Sequence, residues 1–182
     1  MSTHKIPGYG ATLRTAKKLA EQAVPVVNRA VPGRMPDVEV ILTNERGMAE
    51  LMAAADVALV GALDRRTLAA AERTARKTAR DIQALAVPRP DGSALVLVDV
   101  DKHPSPAAFA VTLVHELTHA MQFSRKGVFE RCVASARDLL GIERMSRRDA
   151  REHERLLRQE EAEAYGFEYL ADRVVPGART AA

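Results

Sequence analysis

Apolar residues in the first half of the chain recur mainly with the period of an amphipathic helix. The pattern predicts a helix over residues 11–29, broken or kinked at Pro25 because proline lacks the amide hydrogen that a helix interior uses. Residues 45–86 carry a largely helical pattern that we divide into two helices. Asp64 is the predicted N-cap of the second, which is expected to end before Pro88. This half of the chain is therefore predicted to be mainly helical.

Short aliphatic and β-branched runs predict strands at 38–42 and 94–100, with a turn over 87–92 before the second. Ser105 followed by Pro106 is typical of a helix start, because serine caps free amides and proline fits the first turn. Further helices are predicted over about 106–127, 128–140 and 147–175. This order of elements indicates an α+β fold that is rich in helix, with a small sheet preceding the helix that begins at Pro106.

Composition agrees with a single globular domain over residues 1–182, since 47% of the residues are hydrophobic and 28% are charged. No apolar run approaches the roughly 20 residues of a membrane span, and the first residues lack the apolar core of a signal peptide. A cytoplasmic protein is therefore expected. The single cysteine, Cys132, excludes an internal disulfide and a cysteine-based zinc cluster.

The formal net charge of +3 arises largely from two arginine-rich stretches, residues 65–80 and 144–159, in which Glu and Asp are interspersed. Opposite charges spaced three or four residues apart are typical of solvated helix faces. The two stretches also lack the aromatic residues on which nucleic-acid bases stack. We therefore do not expect a nucleic acid as partner, and the lack of a long apolar run predicts no membrane partner.

The stretch AVTLVHELTHAMQ, residues 110–122, places two histidines and a glutamate in an otherwise apolar helix. Polar side chains in such a position must be paired or must hold an ion. His115 and His119 are four residues apart, so on a helix their imidazoles can converge on one ion, and two imidazoles suit zinc. Glu116 lies about 100° around the helix, where it can reach a water molecule on the open side of the metal. The motif predicts a zinc site with Glu116 as general base.

A catalytic zinc normally takes three protein ligands and a water molecule, so a third ligand is needed. The longer pattern H-E-x-x-H-x-x-G-x-x-H is excluded, because its glycine and third-histidine positions hold Gln and Arg here. The remaining option is a glutamate from the last long helix. Helical geometry alone puts Glu160 nearer than Glu161 to the middle of the apolar face, so the two compete. Glu163 and His153 are further alternatives.

The HELTH motif followed by a Glu-x-x-Ala segment resembles the active-site pattern of gluzincin-type metallopeptidases. The segment EAEAYGF, which begins at Glu161, is similar to the Glu-x-Glu-Ala-x-x-Phe of the ImmA/IrrE family and somewhat similar to the M48 peptidases. The similarity covers about residues 94–176. It implies a zincin-like fold and one zinc ion per chain, with His115, His119 and Glu161 as ligands. It also implies a small residue, Ala164, where the two helices approach.

One position departs from this pattern. Many members of the class have an aspartate four residues after the glutamate ligand, where it orients a zinc-bound histidine. Because that position holds a tyrosine here, the role could fall to Tyr165, Glu168 or Asp172, or be absent. The resemblance also implies a donor for the reaction's oxyanion, for which Tyr165 and Tyr169 are candidates. It further implies a sheet edge that pairs with substrate, for which the strand in 93–99 is the candidate.

The function predicted from these residues is the zinc-dependent hydrolysis of peptide bonds by a metal-activated water, with Glu116 as general base. The expected partner is a protein or peptide substrate. The alternative is a catalytically inactive, metal-stabilised binding or regulatory domain, which would retain the same metal ligands. Both of these functions require one zinc per chain, whereas a purely structural helical protein with a coincidental motif, the third alternative, would bind none.

Overall fold

The structure is a computed structural model that describes residues 1–4 and 10–181. Within these residues, helices enclose a small sheet. The strands are β1 (Ser2–Thr3), β2 (Val38–Thr43), β3 (Ala84–Pro88) and β4 (Ala94–Asp99). The helices are α1 (Gly10–Ala30), α2 (Glu45–Val60), α3 (Arg65–Asp81), α4 (Pro106–Phe123), α5 (Val128–Leu139), α6 (Arg147–Phe167) and α7 (Ala178–Ala181). Two 3-10 segments, Val100–Lys102 and Glu168–Arg173, directly follow β4 and α6.

The strands form one sheet in the order β1-β2-β4-β3. β1, β2 and β4 run parallel, whereas β3 is antiparallel to β4, with Ala86 opposite Val96. β3 is therefore an edge strand, and β4 is paired along both of its sides. The helix-rich α+β architecture predicted from the sequence is confirmed, with the sheet preceding α4 in the chain.

Alternate residues of β4 supply apolar side chains to the two faces of the sheet. Val96 and Val98 belong to the larger core cluster, with α1, α4 and the second 3-10 segment. Leu95 and Leu97 belong to a smaller cluster with α2 and α3. α4 lies across the larger cluster, and most of its residues are buried. Although α4 is the most apolar of the longer helices, no described helix is both long and apolar enough to span a membrane.

The prediction for residues 45–86 was wrong in its last part. α3 ends at Asp81, and the following segment forms β3, so Val87 and Pro88 belong to a strand rather than to a turn. The alanines of β3 favour a helix in isolation, but pairing with β4 supplies hydrogen bonds and packing that outweigh this propensity. The turn itself is shorter, and is closed by a hydrogen bond from the amide of Arg89 to the carbonyl of Ser93 at 2.8 Å.

Three predicted helices also have different bounds. α1 continues through Pro25 because this residue lies on the exposed side of the helix, where water can satisfy the carbonyl group of Glu21. α4 ends at Phe123, and Gly127, whose φ of +82° suits glycine, precedes α5. α6 ends at Phe167, after which the chain tightens into a 3-10 segment. The end of α6 at Phe167 matters for the site described below.

Gly47, in the first turn of α2, packs directly against the end of β2. A Cβ atom at this position would lie 2.0 Å from Oγ1 of Thr43 and 3.0 Å from the His4 ring. Thr43 is fully buried and donates its hydroxyl hydrogen to the carbonyl of His4 at 2.8 Å, so it cannot move aside freely. We expect Gly47→Ala to lower the free energy of unfolding by about 1–3 kcal/mol, measured by urea denaturation.

The matched control is Gly166→Ala in α6, where an added Cβ would meet no atom within 4 Å. Because alanine is the better helix former, this control should be neutral or should stabilise the protein by up to about 1 kcal/mol. Equal stabilities of the two variants would contradict the close packing of α2 on β2.

Candidate metal centre

α4 presents the HELTH motif from a rigid position in the core. Its start forms as predicted, with Oγ of Ser105 accepting the amide hydrogen of Ala108 at 3.1 Å and Pro106 in the first turn. Leu113 and Leu117 are fully buried on the core side of the helix. This anchoring fixes the direction in which the polar side chains of the motif leave the helix.

His115, His119 and Glu161 come together between α4 and α6. The Nε2 atoms of the two histidines lie 3.1 Å apart. The carboxylate of Glu161 turns one oxygen toward each ring, with Oε2 3.5 Å from Nε2 of His115 and Oε1 3.4 Å from Nε2 of His119. Both imidazoles are largely buried, whereas the carboxylate is 41% exposed. One atom from each of the three side chains could therefore hold a metal ion.

The outer nitrogens of both histidines are held by hydrogen bonds. Nδ1 of His115 lies 3.0 Å from Oε1 of Glu168, at the start of the 3-10 segment. Nδ1 of His119 lies 2.8 Å from Oε1 of Gln122, which is itself buried. The Gln122 amide nitrogen donates to the backbone carbonyl of Glu160 at 2.9 Å and to Oε2 of Glu163 at 3.0 Å, which leaves Oε1 as an acceptor. Both histidines therefore carry hydrogen on Nδ1.

This arrangement determines what can occupy the space between the rings. A neutral imidazole with hydrogen on Nδ1 presents a lone pair at Nε2, and two lone pairs at 3.1 Å repel unless a cation lies between them. Burial lowers the pKa of His119, which disfavours an added proton. A metal ion beside the Glu161 carboxylate would satisfy all three side chains, so the donor set fits such an ion.

The competing glutamates of α6 are engaged elsewhere. Glu160 forms an ion pair with Arg131 of α5, and both side chains are largely buried. Glu163 forms a two-fold ion pair with Arg125, with distances of 2.6 and 2.8 Å, and this pairing lowers the pKa of the Glu163 carboxyl. Of the three carboxylates, that of Glu161 alone lies against both histidines.

Glu116 is buried beside the three side chains but faces a different direction. Its exposed fraction is only 7%. Burial raises the pKa of its carboxyl group to about 8; a hydrogen bond from the backbone of Ala86 opposes the rise, and the nearby Glu161 carboxylate adds to it. A carboxyl group that titrates near neutral pH can both accept and return a proton.

A cleft of about 580 Å³ opens in front of these side chains, and α4, α6 and β3 form its walls. The strand in 93–99, predicted to be the edge beside the cleft, is β4. Because β4 is paired with β2 on one side and β3 on the other, that prediction was wrong. β3, from the segment assigned to helix, lies at this edge instead.

The backbone of β3 turns hydrogen-bonding groups toward the cleft, and the amide of Ala86 among them is used by the Glu116 carboxylate. In an antiparallel ladder, successive residues point their backbone groups alternately toward and away from the partner strand. The carbonyl of Gln83 accepts the amide hydrogen of Asp99 at 2.9 Å, so the next residues in the outward register are Ala84 and Ala86. Both line the cleft. An edge of this kind can pair with an extended peptide.

The other side chains considered from the sequence lie in different surroundings. The ring of Tyr165 is edge-on to that of His115, with centroids 4.8 Å apart, and lines the cleft. Tyr169 and His153 do not line it. Asp172 accepts the amide hydrogen of Arg179 at 3.2 Å rather than orienting a histidine. Of the candidates for the orienting role, Glu168 is the one on the imidazole nitrogen.

Comparisons of the chain with protein-family models, with curated proteins and with solved structures found no match. The resemblance to gluzincin-type peptidases, which rests on HELTH and EAEAYGF, therefore stays a prediction. What supports the candidate site is the geometry of its own side chains.

Replacing Glu161 by Ala should weaken the binding of a divalent transition metal by more than about 100-fold, since changes outside the ligand shell alone typically cost 10–100-fold. Glu160→Ala should leave metal affinity much closer to wild type. It should instead lower the melting temperature, because Arg131 would lose its partner in a largely buried place. Competition with a chromophoric chelator measures the affinity. A larger loss of affinity in Glu160→Ala would show that Glu160 is the ligand.

Replacing Gln122 by Leu should lower metal affinity by about 10–100-fold, because the Nδ1 hydrogen of His119 would lose its acceptor. Glu163→Gln is the matched control, since it alters a partner of the Gln122 amide nitrogen and leaves the acceptor oxygen in place. Gln159→Leu, at an exposed position of α6, controls for the added apolar side chain. Wild-type affinity in a folded Gln122→Leu protein would contradict the positioning role.

Proposed function

We propose that this protein is a zinc metallopeptidase of the gluzincin type. The observation that carries the proposal is the convergence of the two Nε2 atoms and the Glu161 carboxylate at separations of 3.1–3.5 Å. A tetrahedral zinc with bonds of 2.0–2.1 Å separates its ligand atoms by about 3.4 Å. Two imidazoles and one carboxylate are also a donor set that suits zinc and leaves a coordination position open for catalysis.

In this proposal, bound zinc supplies a Lewis acid that polarises a carbonyl group and acidifies water. The chain supplies the proton transfers. Glu116 accepts a proton from the water as its oxygen adds to the carbonyl carbon, and it returns that proton to the leaving amine as the C–N bond breaks. Burial raises the pKa of the Glu116 carboxyl to about 8, so this group binds a proton more readily than an ordinary glutamate does, as the first step requires. Glu168 and Gln122 hold the two histidines so that Nε2 of each faces the ion.

The edge of β3 supports a peptide as the class of substrate. Its outward carbonyl groups at Ala84 and Ala86, with the amide of Ala84, can bind an extended chain without selecting its side chains. The two alanine side chains are small, which leaves room in the cleft. The part of the substrate bound here would lie beside Glu116, whose carboxylate meets the same strand at Ala86. A cytoplasmic setting for this activity stays a prediction from the sequence.

The test of this function is the Glu116→Gln variant. Glutamine has nearly the same shape and can still hydrogen-bond water, but it cannot accept the proton. Zinc content and melting temperature should therefore stay close to wild type, while turnover should fall by about 10²–10⁴-fold. Zinc-loaded wild type and variant are incubated with the same cell lysate, and new peptide termini are identified by mass spectrometry. Metal analysis of both proteins should give one zinc per chain.

Two results would overturn the proposal in different ways. If Glu116→Gln loses zinc, the glutamate is itself a ligand, and its role as base is wrong. If both proteins hold zinc and neither produces new termini, the inactive metal-stabilised binding domain is the better description. A wild-type rate in the variant would assign the proton transfer to another residue.

A further inference from the structure

Hydrolysis of a peptide bond places negative charge on the former carbonyl oxygen. Hydrogen-bond donors aimed at this oxyanion usually supply a large share of the rate enhancement. Carboxylates cannot serve in their charged form, so a side-chain donor must be a hydroxyl or amide group that lines the cleft and has a hydrogen to give. The described lining of the cleft contains only a few such side chains.

Two of these side chains already use their hydrogens. Gln122 donates both amide hydrogens to α6. Thr112 is bonded to Nε2 of His103 at 3.0 Å. Since Nδ1 of His103 lies 2.6 Å from the carbonyl of Asp99, that nitrogen carries the ring hydrogen and Nε2 accepts the hydroxyl hydrogen of Thr112. Neither residue is therefore free to stabilise an oxyanion.

Tyr165 has the position that the reaction requires. It follows Glu161 by one helical turn, so these two side chains share one face of α6, and Glu168 follows three residues later at the start of the 3-10 segment. Its ring lies edge-on to His115, with centroids 4.8 Å apart. It is nevertheless 63% exposed, and it lines the cleft. A phenol in this place can reach a molecule bound beside the histidine.

Tyr165 is also not needed to orient the histidine. Nδ1 of His115 is held by Glu168, so the hydroxyl group of Tyr165 is not required at that nitrogen. Its ring packs against the imidazole, and a phenylalanine ring would make the same contact. The contribution of the hydroxyl group can therefore be separated from that of the ring.

We propose that the hydroxyl group of Tyr165 stabilises the oxyanion formed during hydrolysis, which makes Tyr165 a further catalytic residue. The inference rests on the proposed peptidase function. Tyr165 donates a hydrogen bond and keeps its proton throughout. The water oxygen adds to the carbonyl carbon, Glu116 carries the proton to the leaving nitrogen, and the C–N bond breaks, so no atom is transferred to or from the tyrosine.

The test compares Tyr165→Phe with wild type on a peptide substrate found in the lysate experiment. Turnover should fall by about 10–100-fold. This is less than the 10²–10³-fold typical of removing a donor, because the bound zinc would also stabilise the charge. KM and zinc affinity should stay near wild type. Affinity for a phosphinic analogue of the same peptide, which carries the tetrahedral anionic group, should fall by the same factor as turnover.

Two variants serve as controls. Tyr169→Phe removes a hydroxyl outside the cleft, where the ring packs near Phe167, and should change nothing. Gln83→Leu removes the other exposed amide donor of the cleft lining and should leave analogue affinity unchanged.

The outcomes distinguish this inference from the function on which it rests. Wild-type turnover and wild-type analogue affinity in Tyr165→Phe would overturn the inference and leave the peptidase function intact. Loss of analogue affinity in Gln83→Leu alone would assign the role to Gln83. A wild-type protein that cleaves no peptide would overturn the peptidase function, and the inference with it.

Discussion

The contact between the two Nε2 atoms of His115 and His119, 3.1 Å apart, sets the requirements that the rest of the site must meet. Two rings that carry their hydrogens on Nδ1 repel each other at this distance through their Nε2 lone pairs, and a cation between them would remove the repulsion but would need a counter-charge. Glu161 supplies that charge from α6. The hydrogens on the opposite sides of the rings then need acceptors, which Gln122 and Glu168 provide. Glu161, Gln122 and Glu168 therefore each supply a charge or a hydrogen-bond acceptor that the contact between the two rings requires.

The position of α6 is fixed by ion pairs on both sides of the glutamate that faces the histidines. Glu160 is paired with Arg131 of α5, and Glu163 is paired with Arg125, two residues after the end of α4. Arg125 also donates to the carbonyl of Pro32 at 3.1 Å, which connects the site to the loop before β2. These pairs remove two of the three carboxylates from competition for the histidines. Ala164, whose small side chain is fully buried on α6, allows the two helices to approach closely.

Local rules predicted the part of the site that lies on one helix. Ser105 and Pro106 start α4, and a spacing of four residues brings His115 and His119 together, because both features depend on a few neighbouring residues only. The strands β2 and β4 follow from their aliphatic runs in the same way.

The third carboxylate could not be chosen in this way. Glu160 is the more buried of the two adjacent glutamates, as the helical pattern implied, but its burial serves the ion pair with Arg131. Which partner a buried charge meets depends on α5, and no pattern within α6 contains that information. Gln122 was overlooked as an acceptor although it lies on the same helix as His119, and an amide side chain three residues after that histidine in an otherwise apolar helix was the available signal.

The edge strand β3 is the second feature that the local sequence pattern did not predict, and it forms a wall of the cleft beside the candidate metal site. Nothing between Asp81 and Pro88 breaks a helical pattern, so only the antiparallel pairing with β4 makes this segment a strand. That pairing turns the backbone groups of Ala84 and Ala86 toward the cleft. The next outward position is Pro88, which has no amide hydrogen, so the series of outward amides ends at Ala86. The Ala86 amide is already used by the Glu116 carboxylate, which leaves the Ala84 amide as the donor of this edge that a bound peptide could use. A peptide that paired with β3 at Ala84 would therefore lie one outward position away from Glu116, so the pairing of this edge strand sets the distance between a bound peptide and that carboxyl group.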